Sequence, residues 1–289
     1  MMSHKFFDPL CDKFYISHVK YPTEEQRKKR CYTIVKWGFS IIYYALTSVF
    51  GYFILLPTSF MPSFLGGNGD CTDCLRYIKS FDEATLGMEI YYGIQFGKHF
   101  GRFFQHVFIR PEGNFYEYTL HHAISMFLIF FSYLMNFWMI GIFILVIHDA
   151  SDFFLIIPRA YRDCKTINKT FLKLQYLVMT VTWIGCRIFL LSYCAVYTAI
   201  KSLYQIAMDS SKFDDIFIEI LYLPGVLMAF MICALEVLQI FWTYHIVTSF
   251  IEVTVSSKIA KHTYDWLPKC NNLLITCLKI YWHLFSYNF

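Results

Sequence analysis

The apolar positions of this chain fall into six long runs. They extend from Val35 to Leu56, Leu86 to Phe108, Tyr118 to Phe137, Met139 to Ile157, within Phe171 to Ile200, and from Leu223 to Ile251. A helix needs about 20 mainly apolar residues to cross the hydrocarbon of a bilayer. The pattern therefore predicts an all-α, polytopic membrane protein built as a six-helix transmembrane bundle. The second run is the most polar. The third and fourth are nearly contiguous, which predicts a tight hairpin around Asn136 to Gly141.

Composition agrees with the runs. Hydrophobic residues make up 57% of the chain and charged residues only 16%, against about 25% charged in a soluble domain. The net charge of +4 is small and no basic block or nucleic-acid motif is present, so nucleic-acid binding has no support. The 31 Phe and 22 Tyr fit lipid-facing positions and interfacial belts. Residues 1–30 mix acids, bases and aromatics, unlike a secretory signal or a transit peptide.

Lys and Arg set the orientation. They cluster before the first run (Lys5, Lys13, Lys20, Arg27, Lys28, Lys29, Arg30), between the fourth and fifth (Arg159, Arg162, Lys165, Lys169), and after the sixth (Lys258, Lys261, Lys269, Lys279). The other side has only Arg76, Lys79, Lys201 and Lys212. Both termini are expected in the cytosol. This gives a cytosolic segment at 1–30, a membrane domain at 31–255 and a tail at 256–289. In that tail Leu274, Cys277, Leu278, Tyr281 and Phe285 recur on one helix face, as in an interfacial or partner-bound helix.

Cys186, Cys194 and Cys233 lie in apolar runs and read as small buried hydrophobes. Cys71 and Cys74 form a C-x-x-C in a loop, open to a disulfide, a zinc site or a redox role. The G-G-N-G-D stretch from Gly66 to Asp70 reads as a flexible loop and lacks the ending of a phosphate-binding loop.

Ionisable residues at membrane depth cost roughly 2.5–3.5 kcal/mol each and face a cavity, a partner or a substrate path. The fourth run holds His148, Asp149 and Asp152, and the third opens with His121 and His122. His148 and Asp152 are four apart and share a helix face. At about 1.5 Å per residue, the paired histidines lie ~5–6 Å below the cytosolic boundary, Asp152 ~9 Å and His148 ~15 Å. The two sets can meet across the hairpin. Three readings are open for them. One is a hydrogen-bond cluster joining helices. The second is a metal site, although no H-E-x-x-H and no set of multiple His boxes is present. The third is acid/base or nucleophilic catalysis by a histidine that an aspartate orients.

From Asn114 to Arg159 the chain reads N-F-Y-E-Y-T-L-H-H-A-I-S, then S-Y-L-M-N-F-W-M-I-G, then H-D-A-S-D-F-F-L-I-I-P-R. This closely resembles the longevity-assurance motif of ceramide synthases, within the TLC domain. Arg187, Leu238 and Trp242, and more faintly Lys36 and Trp37, extend the resemblance over roughly residues 30 to 255. Met139 and Ile156 stand where the family has Arg and Glu, Asn114 replaces an Asp, and Arg159 takes the place of a Lys.

The resemblance implies a six-span TLC-type bundle that moves a fatty acyl group from acyl-CoA to a sphingoid-base amine. Acyl-CoA would be a co-substrate, with no bound cofactor and no metal. His121, His122, His148, Asp149 and Asp152 would be the catalytic set. One histidine would take the amine proton or be transiently acylated, while an aspartate holds the imidazole tautomer. Lys98, Arg102, Arg159 and Arg162 are candidates to attract the CoA phosphates, or are ordinary cytosolic-side charge. Ser132 and Asn136 are expected to pack at the hairpin. The implied partners are membrane lipids, fatty acyl-CoA and a sphingoid base, and the expected location is the endoplasmic reticulum, with another organelle such as the mitochondrial inner membrane as the alternative. A catalytically inactive TLC-fold protein, serving as a lipid-binding or structural subunit of a larger membrane complex or a homo-oligomer, is the competing reading. A protein-translocation accessory of the same fold is a third.

Overall fold

The computed structural model describes residues 9–71, 85–109, 115–208 and 215–254. Among them are seven α-helices: α1 (Glu24–Leu55), α2 (Leu86–Phe104), α3 (Phe115–Leu134), α4 (Trp138–Tyr161), α5 (Lys169–Ile184), α6 (Thr198–Met208) and α7 (Asp215–Thr254). Two π-helical stretches, Gly185–Leu190 and Ser192–Tyr197, carry α5 into α6, so the backbone is continuously helical over Lys169–Lys201. The all-α expectation holds for the described residues.

Helix α1, helix α4, the Lys169–Lys201 helix and the Pro224–Thr254 part of α7 are each long and apolar enough to cross a membrane. The chain is a polytopic integral membrane protein. The second and third runs are also helices, but they fall short of a span on length and composition. Helix α2 has 19 residues and carries Glu89, Lys98, His99 and Arg102. The apolar part of α3 covers only Tyr118–Leu134. The polar side chains of α2 lower its mean hydropathy, whereas α3 is limited by the length of its apolar part.

The described chain divides into two compact units, residues 1–243 and 244–289. The second is described as far as Thr254 and continues α7, where Thr248 and Ser249 donate back to the carbonyls of Tyr244 and His245. In the first unit α1 lies along α4, α2 along α3, and α4 also along α5.

Helix α1 begins before its apolar run because Thr23 and Gln26 form a capping box, which satisfies two of the free N–H groups of the first turn. The hairpin is as tight as expected. Phe137 N–H donates to Ser132 O at 2.8 Å, and Asn136 adopts the left-handed region at φ 61°, which Asn tolerates better than most residues. Ser132 and Asn136 are both buried there. Gly141 lets Tyr92 in: a Cβ would lie 1.9 Å from the Tyr92 hydroxyl. That hydroxyl pairs with Ser132 Oγ at 3.1 Å and donates to Trp138 O at 3.3 Å.

The two positively charged segments expected on one side of the membrane touch each other. Ser17 N–H donates to Asp163 O at 3.1 Å and Lys165 N–H to Tyr15 O at 2.8 Å. The Asp163 side chain is fully buried and receives Lys20 Nζ at 2.7 Å, Tyr21 OH at 2.8 Å, and Arg30. Burial alone would raise its pKa. The hydrogen bonds from Lys20, Tyr21 and Arg30 outweigh that and hold the carboxyl below its ordinary value.

On the expected opposite side, Gly66–Asp70 differs from the flexible loop read in sequence. Gly69 N–H donates to Met61 O and Asp70 N–H to Ser59 O, both at 2.8 Å. A Cβ at Gly69 would sit 1.7 Å from Ser59 O, so glycine serves close backbone approach. Cys71 is buried, and its thiol hydrogen-bonds the thiol of Cys194. Cys74, and with it the C-x-x-C reading, lies outside the described residues. So does the helical face expected between Leu274 and Phe285.

Candidate functional site

Three polar groupings meet along α4. The first joins three helices around Asp149, which is 1% exposed. Lys98 Nζ of α2 reaches its Oδ1 at 2.7 Å, Thr47 Oγ1 of α1 donates to its Oδ2 at 2.6 Å, and Gln95 Nε2 of α2 donates to the same oxygen. Tyr43 donates to Gln95 Oε1 at 3.2 Å. The Lys98 ammonium also lies over the rings of Tyr43 and Tyr44, at 4.6 and 4.3 Å. A buried carboxylate is tolerated when it is paired and its lone pairs are filled, and Asp149 meets both conditions.

The second grouping centres on Arg187, 2% exposed and set in the first π-helical stretch. Such stretches re-aim side chains and recur at functional sites. The guanidinium donates from Nε to Ser151 Oγ at 2.6 Å and from Nη1 to Gln239 Oε1 at 3.2 Å. Its Nη2 reaches Asp152 Oδ1 at 2.6 Å and His148 O at 3.0 Å. The indole of Trp183 lies 4.6 Å away on its face. Helices α4, α7 and the α5–α6 helix are thereby tied at one point.

The third grouping is aromatic and basic. His121 and His122 open α3, with ring centroids 5.4 Å apart. His121 meets Trp242 of α7 edge-on at 5.0 Å. His122 lies 6.3 Å from His99 of α2 and 6.4 Å from His106. The Nδ1 atoms of His99, His121 and His122 are buried and make no hydrogen bond among the described residues.

His148 belongs to the second and third groupings. Its Nδ1 pairs with Ile144 O at 2.7 Å and its Nε2 with Gln239 Nε2 at 3.3 Å. A carbonyl oxygen only accepts, so Nδ1 carries the proton and Nε2 is the acceptor. Gln239 fits this assignment, because Arg187 binds its oxygen and leaves its N–H₂ for His148. Gln239 and Trp242 are three apart on α7, on neighbouring positions of one face, and they touch His148 and His121 respectively.

An apolar cavity opens beside these rings. Its empty volume is ≈ 520 Å³, counting the part open to the outside. Leu128 and Ile129 of α3, Ile140, Ile144 and Leu145 of α4, and Met228, Ile232 and Leu235 of α7 form its walls. His99 and His148 line it, with Ser125, Ser132 and Gly141. The hairpin register fixes its direction. A Cβ at Gly141 would be 2.9 Å from Ser132 Oγ, so these two residues are level. Seven residues on along each helix, Ser125 and His148 are level in turn, about 10 Å away by helix rise. His121 comes level with Asp152 about 6 Å beyond that.

His148 and His99 line the cavity, whereas His121 packs against Trp242 and His122 against His99. The aspartates behave differently from expectation. Neither carboxylate bonds an imidazole: Asp149 faces Lys98, and Asp152 faces Arg187. The reason is competition, since a cation outbids a neutral ring for a carboxylate. Lys98, expected at the phosphate-attracting mouth, is likewise committed to Asp149 inside the bundle. Arg102 donates to Ser40 Oγ at 3.3 Å, while Arg159 and Arg162 are exposed. Met139 and Ile156 do not line the cavity. Among the described residues no group of three or more His, Cys, Asp or Glu is placed to hold a metal ion.

Sequence reading missed His99, Gln95 and Gln239. Each is a polar residue in an apolar run, and Gln95, Lys98, His99 and Arg102 recur at helical spacing on α2, a signal of a polar face.

Residues 33–248 match the TLC-domain family. The chain is also similar to two curated proteins of Caenorhabditis elegans. It is 24% identical to ceramide synthase hyl-1 over 209 residues, 72% of this chain and 53% of that protein. It is 25% identical to ceramide synthase hyl-2 over 222 residues, 75% of this chain and 63% of that protein. The chain therefore spans less than two thirds of the length of either relative.

Proposed function

The chain belongs to the TLC-domain family, and on that premise we propose that it is an N-acyltransferase of the ceramide-synthase type, using fatty acyl-CoA and a sphingoid base within the membrane. One observation carries the reading: a cavity with aliphatic walls has two imidazoles, His99 and His148, in its lining. The similarity to two ceramide synthases gives it a substrate class.

In this reaction the amine nitrogen attacks the thioester carbon. The C–N bond forms, the C–S bond breaks, and the amine proton ends on the departing CoA thiolate. An imidazole can carry that proton, because its ordinary pKa lies near neutrality. His121 and His122 suit the role, since their Nδ1 atoms are uncommitted. His148 has its tautomer set by Ile144 O and offers Nε2 toward Gln239. Asp149 and Asp152 act through Lys98 and Arg187 as positioning residues. Arg102, Arg159 and Arg162 remain the candidates for CoA phosphates. The charge asymmetry supports both termini in the cytosol, and the resemblance of the motif to ceramide synthases supports the endoplasmic reticulum.

A second reading, a lipid-binding or structural subunit without turnover, is favoured by one specific feature: both aspartates are taken up in helix-joining ion pairs. One experiment separates the two. Purified protein is incubated with acyl-CoA and a sphingoid base, beside His121→Ala and His122→Ala. N-acylated product from the parent alone supports the enzyme. No product from any chain, with stoichiometric recovery in a larger complex, supports the structural role.

A further inference from the structure

His99 stands outside the motif and outside the two helices that carry it, yet it lines the cavity together with His148. Its Nδ1 is buried without a hydrogen bond. A buried polar atom left unpaired carries its full desolvation penalty, and such atoms in native proteins call for an explanation. Among the described residues no partner is at hand. The neighbouring Lys98 is held by Asp149, and the ring of His122 sits at 6.3 Å with its own Nδ1 unpaired. The walls beyond His99 and His148 are largely aliphatic.

We propose that His99 is a substrate-binding residue whose Nδ1–H donates to the carbonyl oxygen of the acyl group when the acyl chain fills the cavity. The proposal rests on the acyltransferase reading and deepens it. A chain lying among Leu128, Ile144, Ile232 and Leu235 puts its first carbons, and therefore its carbonyl, at the His99–His148 end. His148 has its Nδ1–H engaged by Ile144 O, so His99 is the imidazole with a donor position to offer. When the amine attacks, the carbonyl oxygen gains negative charge before the C–S bond breaks. A donor held at that oxygen in the bound complex is worth more in the transition state than in the ground state.

The test is an atom-level series at one position, on the full chain in lipid nanodiscs. His99→Asn keeps an amide near the place of Nδ1, His99→Gln puts it near Nε2, His99→Asp offers only an acceptor when ionised, and His99→Ala removes the group. Two quantities are read: affinity for a long-chain acyl-CoA bearing a diazirine in the chain, from photo-crosslinking with mapped sites, and the rate of N-acylation of a sphingoid base. The expected result is capture at cavity residues in the parent, affinity lowered about tenfold in His99→Ala, and kcat/KM lowered roughly 10²–10³-fold. His99→Asn recovers most of both, whereas Gln and Asp do not.

Equal behaviour of Asn and Ala, or parental behaviour of Ala, overturns the proposal and leaves the acyltransferase reading intact. Absence of turnover in the parent overturns that reading, and the binding series then decides for His99 alone. Absence of capture at cavity residues in the parent overturns the role of His99, and turnover decides the acyltransferase reading separately.

Discussion

Gln239 presents its amide N–H to Nε2 of His148 at 3.3 Å because Arg187 holds its oxygen at 3.2 Å. A carboxamide is nearly symmetric in shape, so only its partners decide which way round it sits. Here a cation that cannot accept a hydrogen bond fixes the oxygen, and the imidazole must then accept. Replacing Gln239 by Glu removes the N–H donor and adds an anion beside Arg187. We expect it to draw Arg187 from Asp152 and to change the ring-nitrogen signals of His148, read by NMR. Unchanged signals would mean that Gln239 does not set the hydrogen bonding of His148.

Arg187 ties three helices and is 2% exposed, so its removal leaves Asp152 without its cation. Breaking a buried pair from one side typically costs about 3–5 kcal/mol. Arg187→Met is expected to lower the unfolding midpoint in detergent by that much stability. Arg187→Lys is expected to recover only part, because an ammonium lacks the planar fork that reaches Ser151, Gln239 and Asp152 together.

The Lys98–Asp149 pair makes a sharper case, because either half can be deleted. Asp149→Asn leaves a buried ammonium, and Lys98→Met leaves a buried carboxylate. Each single change is expected to cost about 3–5 kcal/mol. The double variant is expected to cost less than either single one, since it buries no uncompensated charge. Thermal unfolding of the four chains gives the coupling directly. Additive losses would show that the two side chains do not share their stabilisation.

Asp163 predicts a pH dependence with a definite sign. Its carboxyl is held below its ordinary value in the folded chain by Lys20, Tyr21 and Arg30, against the opposing effect of burial. A depressed carboxylate pKa contributes stability that is fully present above the unfolded-state pKa, near 3.9. That stability is lost as pH falls through the folded-state pKa. Asp163→Asn is therefore expected to weaken the docking of residues 15–30 at neutral pH, read as faster proteolysis in that segment. It should also flatten the acid limb of the stability profile.

How much of this was readable beforehand differs by residue. The hairpin was legible because two apolar runs met with no room for a loop, and Asn136 could take the left-handed turn. That His121 and Asp152 would stand at similar depths on α3 and α4 followed from antiparallel helices and a constant rise. The partners of the aspartates were not legible. Spacing tells which residues share a face of α4, but not that Lys98 would arrive from α2 and Arg187 from a π-helical stretch. Cys71 shows the same limit: its neighbour in sequence is Cys74, and its neighbour in space is Cys194. His99 went unnoticed for another reason. The motif drew attention to α3 and α4, although the spacing of Gln95, Lys98, His99 and Arg102 on α2 already marked a polar face.

The direction of the cavity gives the last prediction. Gln239 reaches His148, so Leu235, one turn before it on α7, lies at the imidazole end. Met228 lies about 10 Å further along, toward the hairpin. Both side chains line the space. Under the acyltransferase reading, a bulkier side chain at Met228 obstructs only the far end of an acyl chain. At Leu235 it obstructs every chain near its carbonyl. Met228→Phe is expected to remove activity on the longest acyl-CoAs while sparing short ones, and Leu235→Phe to depress all lengths together. Overpacking itself costs typically about 1–3 kcal/mol, so unfolding midpoints must be matched before the activities are compared. If the two variants lose the same chain lengths in the same proportion, the acyl chain does not run from His148 toward Gly141.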